Sequence, residues 1–140
     1  MQKGAGIAII LGKKLLLCHP TNSSWDNTHS IPKGLIDEGE SELQAAIREC
    51  KEEVGIDLSA MINILEGPDV IEYRNKKATP HKIVTYYVLR INSVAEIGLE
   101  TEVVPKEQLQ FAEVDWAGFV AEPELSKKIL WRLKSILDKI

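Results

Sequence analysis

Residues 41–55 are the most strongly patterned segment of the chain. Ser41, followed by Gln44 three residues later, fits a capping box at the start of a helix. Gly55 is a typical residue just beyond a helix end. Between them the apolar residues repeat at helical spacing and form one stripe: Leu43, Ala46, Ile47, Cys50 and Val54. We therefore predict a helix over 41–54 whose stripe packs against another layer.

Strand signals lie on both sides of this helix. Residues 6–11 and 14–18 are apolar runs separated by Gly12-Lys13, which predicts a hairpin. Residues 82–91 predict a further strand, with weaker signals at 62–65 and 70–74 around a Gly67-Pro68 turn and at 111–119. Residues 124–140 are amphipathic and predict a closing helix. Two helices on a mixed, mainly antiparallel sheet indicate a layered α/β fold.

Length and charge restrict the class of protein. The chain has 140 residues, which predicts a single domain over 1–140. A formal net charge of −4 argues against extended binding to nucleic acid or an anionic membrane. Near the N-terminus, 7–11 is the only apolar run and is too short for a secretory signal. The two cysteines, Cys18 and Cys50, are expected to be small core residues, so we expect a reducing, cytoplasmic setting.

Three carboxylates share one edge of the predicted helix. Glu49 and Glu53 are four residues apart, and Glu52 lies three residues after Glu49. Like charges at this spacing repel, and the last turn of a helix favours cations. A solvated acidic face is the plain interpretation. A bound divalent cation is the alternative, and Mg²⁺ or Mn²⁺ prefers oxygen ligands. An EF-hand is excluded because 37–41 lacks its Asp/Asn alternation.

The segment 34–56 resembles the Nudix box, G-x(5)-E-x(7)-R-E-U-x-E-E-x-G-U with U apolar, at every fixed position. Those positions are Gly34, Glu40, Arg48, Glu49, Cys50, Glu52, Glu53, Gly55 and Ile56. The resemblance implies an α/β/α sandwich with a mixed sheet between helices. It also implies a Mg²⁺- or Mn²⁺-dependent enzyme that hydrolyses a phosphoric anhydride bond in a nucleoside diphosphate linked to another group.

The same resemblance implies roles for individual residues. Glu49, Glu52 and Glu53 are the expected metal ligands, together with the carbonyl group of Gly34. Glu40 is expected to pair with Arg48, which we place in the catalytic set with Glu49 and Glu53. The general base remains open between Glu53, Glu49 and an acid from a later loop. Among the later acids Glu107 resembles a metal ligand of some members, with Glu102 and Glu113 as alternatives.

The flanks of the box suggest a substrate. Pro32-Lys33-Gly34 resembles the start of the box in diadenosine polyphosphate hydrolases, and Lys33 is a candidate phosphate ligand. Tyr73 resembles the aromatic residue of that subgroup and is expected to stack on adenine. Arg74 and Lys76 are candidates for the outer phosphates, and Tyr87 is expected to line the cleft. The leading hypothesis is cleavage of diadenosine tetraphosphate (Ap4A) to ATP and AMP. One departure from the subgroup is His29 at a position where a Trp is common, with Trp25 four residues earlier.

Other substrates and one other class of protein stay open. ADP-ribose and a 5′-triphosphorylated RNA end are the alternatives within the enzyme class. An RNA substrate needs more basic surface than the charge of −4 suggests, although only its 5′ end must be held. A nucleotide-binding sensor without catalysis is the non-enzyme alternative. The expected partner is a small nucleotide, without a membrane, and the expected state is a monomer or homodimer.

Overall fold

The structure, a computed structural model, describes residues 1–140 and contains a six-stranded mixed sheet with helical segments on both faces. Its elements are β1 (Gln2–Leu11), β2 (Lys14–Pro20), β3 (Lys33–Leu35), α1 (Glu42–Val54), β4 (Glu66–Arg74), β5 (Pro80–Ile91), β6 (Val114–Val120) and α2 (Glu124–Lys128). Short 3₁₀ helices span Ser59–Ile64, Val94–Ile97, Lys106–Gln108 and Trp131–Lys139. None of the helices has the length and apolar character needed to cross a membrane.

Strand β1 is the centre of the sheet. Its full length pairs in parallel with β5, and its other edge pairs antiparallel with β3 at one end and β2 at the other. Strand β6 extends the sheet beyond β2, and β4 forms the opposite edge beside β5. The predicted β1–β2 hairpin and the mixed sheet are confirmed.

One end of the sheet collects the elements that form the functional site. The start of β1 pairs with β3 and with the start of β5, since Gly4 faces both Leu35 and Val84. Strand β2 runs antiparallel to β1, so its last residue, Pro20, reaches the same end and pairs with Val114 of β6. We refer to this as the β3 end of the sheet.

Helix α1 packs on one face of the sheet, as its apolar stripe predicts. The Ser41 hydroxyl accepts the Gln44 N–H at 3.1 Å, and the Gln44 side chain accepts the Ser41 N–H at 2.9 Å. Gly55 ends the helix with a φ of 68°. Ala46, Cys50 and Val54 of the stripe are buried with Ile7 and Ile9, and Ile47 is partly buried against them, whereas Leu43 lies outside this core. Cys18 and Cys50 are free and buried in the same core. The capping box, the C-terminal glycine and the structural cysteines are confirmed.

The second core lies on the opposite face and is covered by the C-terminal segment. The prediction of one helix over 124–140 is wrong, because α2 ends at Lys128 and a 3₁₀ helix begins only at Trp131. Between them, Ile129 and Leu130 are extended and bond to the loop before β3: the Leu130 N–H donates to the His29 carbonyl at 2.8 Å. These contacts with the loop replace the helical hydrogen bonds.

Two weaker strand predictions also need correction. Residues 59–64 form a 3₁₀ helix, where 62–65 was expected to be a strand. Gly67-Pro68 does not separate two elements but lies within β4, where the register shifts between Glu66 and Asp69. Proline cannot donate to a strand ladder, and it is tolerated here because β4 is an edge strand.

Candidate active site

A polar cleft of about 380 Å³ opens at the β3 end of the sheet, on the side of α1. It lies between β3, the last turns of α1 and the loop before β6. Its lining residues are Lys33, Gly34, Leu35, Glu49, Glu52, Glu53, Gln110 and Glu113. The Gln110 N–H donates to the Glu53 carbonyl at 3.0 Å and ties the loop to α1. The cleft therefore joins three segments that are distant in sequence.

Arg48 organises the acidic side chains beside the cleft. Its Nε and Nη2 atoms donate to the two carboxylate oxygens of Glu40 at 2.7 and 3.0 Å, which confirms the predicted pair. Its Nη1 atom donates to Glu49 at 2.8 Å and to Glu52 at 3.1 Å, and Nη2 also donates to the Leu35 carbonyl at 3.0 Å. The planar guanidinium thus fixes α1 against β3 and orients two of the box carboxylates.

Glu53 occupies the inner end of the cleft. The Lys33 N–H donates to Glu53 Oε1 at 2.8 Å, so the backbone of β3 fixes the position of this carboxylate. Burial raises the pKa of Glu53 to about 7, against the effect of that hydrogen bond, and the charges of Glu49 and Glu113 raise it further. Burial likewise raises the pKa of Glu49, against the opposing effect of Arg48. For Glu53 and Glu49, the neighbouring cations therefore do not offset the effects of burial and of the nearby carboxylates.

The donor set of the cleft fits a hard divalent cation. Four carboxylates border the cleft, and oxygen ligands of this kind are those that Mg²⁺ and Mn²⁺ prefer. The side chains of Glu49 and Glu52 point to Arg48 in this structure, so the carboxylates do not converge on one point. Arg48 bonds only one oxygen of each, Glu49 Oε1 and Glu52 Oε2, so each carboxylate keeps an oxygen without a bond to Arg48.

A side pocket of about 210 Å³ continues from the inner end of the cleft. Lys33, Glu53 and Glu113 belong to both cavities, and the remaining wall is made by Cys18, Pro20, Ser30, Ile31 and Val114. Burial lowers the pKa of Lys33, and the neighbouring charge of Lys82 lowers it further, whereas Glu53 opposes the shift. Lys33 is the only basic residue among those lining either cavity.

Of the three later acids, the structure brings Glu113 to the cleft. Glu107 does not lie there: it borders a separate depression with Gly98 and Pro105. The reason is the adjacent Gln108, whose amide lies 3.2 Å from the Val54 carbonyl at the end of α1, while Glu107 remains exposed. Glu102 is also elsewhere and pairs with Lys14 at 2.8 Å. The structure therefore places Glu113 at the cleft and Glu107 outside it, and a metal-binding role for either stays a prediction.

Of the five predicted substrate contacts, Lys33 lines the cleft, and the other four, Tyr73, Arg74, Lys76 and Tyr87, do not. Tyr73 is only 8% exposed and packs in the core on the face opposite α1. Arg74 pairs with Glu72 and donates to the Ala78 carbonyl, so it holds the β4–β5 turn, where Lys76 is exposed. Tyr87 packs against the α1 core and lies near Glu42 at the opposite end of the helix from the box carboxylates.

An aromatic cluster near the cleft was not predicted as a unit. The rings of His19 and Trp25 stack with centroids 3.6 Å apart, and His29 and Trp116 pack around them. His19 contacts Asp115 at 2.5 Å and the carbonyls of Ser23 and Ser24 at 3.1 and 3.0 Å. The cluster fixes the 20–30 loop, whose Ser30 borders the side pocket. Only the spacing of aromatic residues in that loop hinted at it.

The comparisons with known proteins agree with this geometry. The family model described as NUDIX domain matches residues 1–134. A curated RNA pyrophosphohydrolase of Campylobacter jejuni subsp. doylei is 34% identical over 99 residues, 66% of this chain. That match covers 62% of the Campylobacter protein, so the chain spans less than two thirds of the length of this relative.

Solved structures share the fold over nearly the whole chain. The Ap4A hydrolase of C. elegans is 26% identical with a TM-score of 0.64, covering 99% of this chain and 94% of that one. The MutT NUDIX hydrolase of Burkholderia pseudomallei is 20% identical with a TM-score of 0.70, covering 99% and 97%. The predicted α/β/α sandwich is confirmed by this similarity.

Proposed function

The chain belongs to the NUDIX family, and from this premise we propose that it is a divalent-cation-dependent pyrophosphohydrolase of nucleotides. The observation that carries the proposal is the charge of the cleft. Glu49, Glu52, Glu53 and Glu113 border it beside a single lysine. An anionic polyphosphate enters such a cleft only with a cation between the two sets of oxygens. Membership of a family of hydrolases and the acidic cleft together support the proposal that the protein hydrolyses a phosphoric anhydride bond.

We propose that Glu49, Glu52 and Glu53, with the Gly34 carbonyl, hold Mg²⁺, for which Mn²⁺ is a substitute. The bound cation neutralises phosphate oxygens and acidifies a water molecule. Glu53 is the proposed proton acceptor, because Lys33 fixes its carboxylate at the inner end of the cleft. Glu113 faces the same space and is the alternative acceptor or a further ligand. Arg48 positions Glu49 and Glu52 and is a positioning residue.

For the substrate we propose a nucleoside polyphosphate, and two candidates each have a specific observation in their favour. Ap4A, split to ATP and AMP, is supported by Pro32-Lys33-Gly34 and by the similarity to the C. elegans Ap4A hydrolase. A 5′-triphosphorylated RNA end is supported by the 34% identity to an RNA pyrophosphohydrolase. In both, Lys33 would meet a phosphate at the inner end of the cleft.

The test is a product analysis by ion-exchange chromatography. Purified protein with Mg²⁺ is given Ap4A, diadenosine triphosphate, ADP-ribose and a 5′-triphosphorylated oligonucleotide, and Glu53→Gln is the control. We expect cleavage of Ap4A or of the RNA end to be fastest and to be lost in the variant. Faster cleavage of ADP-ribose would retain the metal site and overturn the substrate class. Nucleotide binding with no turnover of any substrate would indicate a sensor and overturn the enzyme proposal.

A further inference from the structure

Four side chains form a stack of alternating cations and aromatic rings at the β3 end of the sheet, on the face opposite α1. The Lys82 ammonium lies 5.2 Å from the centre of the Tyr73 ring. The Arg132 guanidinium lies 5.1 Å from the same ring centre and 5.0 Å from that of Trp131. We call this set, Lys82, Tyr73, Arg132 and Trp131, the cation–aromatic stack.

The stack is open to a ligand at one end. Trp131 is 59% exposed, which is unusual for so large an apolar ring, whereas Tyr73 is buried beneath Arg132. Neither Lys82 nor Arg132 has a carboxylate within ion-pairing distance. In a chain with a net charge of −4, two unpaired cations beside an exposed indole form a local surface that suits an anionic, aromatic ligand.

Each end of the stack lies on a segment that is close in sequence to residues of the cleft or of the side pocket. Lys82 pairs with Gln2 at the start of β1, two residues before the segment of β1 that pairs with β3, and its charge acts on Lys33. At the other end, the backbone N–H of Trp131 donates to Asn27 Oδ1 at 3.0 Å, in the loop that leads to Ser30 of the side pocket. A chain of nucleotides that leaves the cleft must pass around the β3 end of the sheet to reach the stack on the opposite face.

Stacked rings with intervening cations are the elements with which proteins hold a single strand without reading its sequence. Bases stack on the ring, and the cations meet the backbone phosphates. A dinucleoside polyphosphate offers only one further base and no phosphodiester. A short RNA segment offers both bases and phosphodiesters repeatedly. It therefore matches the rings and the unpaired cations of the stack better.

We propose that the cation–aromatic stack binds the first nucleotides of an RNA whose 5′-triphosphate lies in the cleft. Lys82 and Arg132 contact the phosphodiesters, and a base stacks on the exposed face of Trp131. The proposal rests on the proposed pyrophosphohydrolase function and selects the RNA end as its substrate. Tyr73, expected from the sequence to stack on adenine, here supports Arg132 from below.

The test is the dependence of kinetics on RNA length. Steady-state rates are measured with 5′-triphosphorylated adenylates of one to four nucleotides and with Ap4A. For the unmodified protein we expect the KM to fall roughly tenfold between one and three nucleotides, the effect of one stacked base. In Trp131→Ala the ratio of the KM for one nucleotide to that for three should be close to one. Arg132→Ala should reduce this ratio, and Trp131→Phe, which keeps an aromatic ring, should retain it.

Arg90→Ala is the matched control, because Arg90 is an exposed arginine at the opposite end of β5 whose side chain pairs with Glu66. It should leave the length dependence unchanged. A KM independent of length in the unmodified protein, or a length dependence unaffected by Trp131→Ala, would overturn the proposal. An effect of Trp131→Ala confined to Ap4A would assign the stack to the second adenosine and also overturn it.

A protein without pyrophosphohydrolase activity would give no KM values, so the stack needs a second test that does not depend on catalysis. If the protein hydrolyses no substrate, the stack is judged by binding alone, using quenching of tryptophan fluorescence by a 5′-monophosphorylated trinucleotide. Saturable quenching that Trp131→Ala removes and Arg90→Ala retains would support the stack without the activity. Equal quenching in both variants would reject it.

Discussion

Gly34 lies directly against the carboxylate of Glu49. A Cβ atom at Gly34 would fall 2.1 Å from Glu49 Cδ and 2.3 and 2.4 Å from its two oxygens. The absence of a side chain in β3 therefore allows α1 to bring its carboxylate against the β3 backbone. This contact joins the two segments that form the floor of the cleft, and it makes a substitution at Gly34 a direct test of the site.

Gly34→Ala should displace Glu49 and lower kcat/KM by roughly 10²-fold, the size of effect expected for a misplacement near 1 Å. The unfolding free energy should fall by only about 1 kcal/mol, because the clashing atoms are the far end of the flexible Glu49 side chain, which can shift away from β3. Kinetics and urea unfolding of the same sample measure both. Gly12→Ala, at the β1–β2 turn, meets no neighbouring atom but is strained by a φ of 60°, so it should lose stability while retaining activity. Full activity in Gly34→Ala would show that Glu49 need not approach β3.

Glu113→Gln and Glu107→Gln separate the two later acids. Glu113 borders the cleft and its side pocket, whereas Glu107 lies in another depression. We expect Glu113→Gln to lower kcat by at least about tenfold, equivalent to about 1.4 kcal/mol, and Glu107→Gln to leave it unchanged. Steady-state kinetics under saturating Mg²⁺ make the comparison. The reverse order of effects would mean that the 105–113 loop rearranges when substrate binds.

Arg48→Lys removes the planar fork while keeping the charge. The two bonds to Glu40 and the shared contacts with Glu49 and Glu52 cannot all be reproduced by one ammonium group. We expect a loss of roughly 1–3 kcal/mol in unfolding free energy, together with lower kcat. Chemical denaturation measures the first. Arg90→Lys, at an exposed pair with Glu66, should stay within about 0.5 kcal/mol of the unmodified protein.

Stability should depend on pH through His29, which is fully buried in the aromatic cluster. Burial lowers its pKa to about 4, assisted by the charges of His19 and Lys128, with Asp115 opposing. The unfolded chain then binds more protons than the folded chain between about pH 6.5 and 4, so stability falls as the pH falls through this window. The lost stability at pH 4 is roughly 3 kcal/mol.

Urea unfolding of the unmodified protein and of His29→Gln from pH 4 to 8 measures this contribution. The variant should be less stable at pH 8 and should show a shallower slope below pH 6.5. His81→Gln, at an exposed site, is the control and should keep the slope of the unmodified protein. Parallel curves for His29→Gln and the unmodified protein would show that His29 is not the group responsible.

Mg²⁺ should stabilise the folded protein because the proposed ligands come together only in the native state. At a concentration of about 100 times the dissociation constant, the gain is about 2.7 kcal/mol. Thermal unfolding with Mg²⁺ and with EDTA measures it. Glu53→Gln should lose most of the shift, and Glu107→Gln should keep it. An equal shift in both variants would place the cation outside the cleft.

The sequence alone determined the parts of the fold that depend on local pattern. The capping box at Ser41, the stripe from Leu43 to Val54 and the φ of Gly55 follow from interactions within a few residues. The spacing of Glu49, Glu52 and Glu53 placed them on one helix edge for the same reason. The pairing of Glu40 with Arg48 came instead from the resemblance to a family, and the structure shows it.

What lies opposite this helix depends on contacts between distant parts of the chain. The resemblance favoured Glu107 over Glu113, but the docking of Gln108 on the end of α1 leaves Glu107 outside the cleft that Glu113 borders. Tyr73 carries an aromatic ring at the expected distance from the box, but strand alternation places it on the other face, beneath Arg132. The break at Ile129 likewise arises from hydrogen bonds to a loop about a hundred residues earlier. Long-range contacts of this kind leave no periodic signal in the sequence, because their energy depends on partners that only the folded chain brings together.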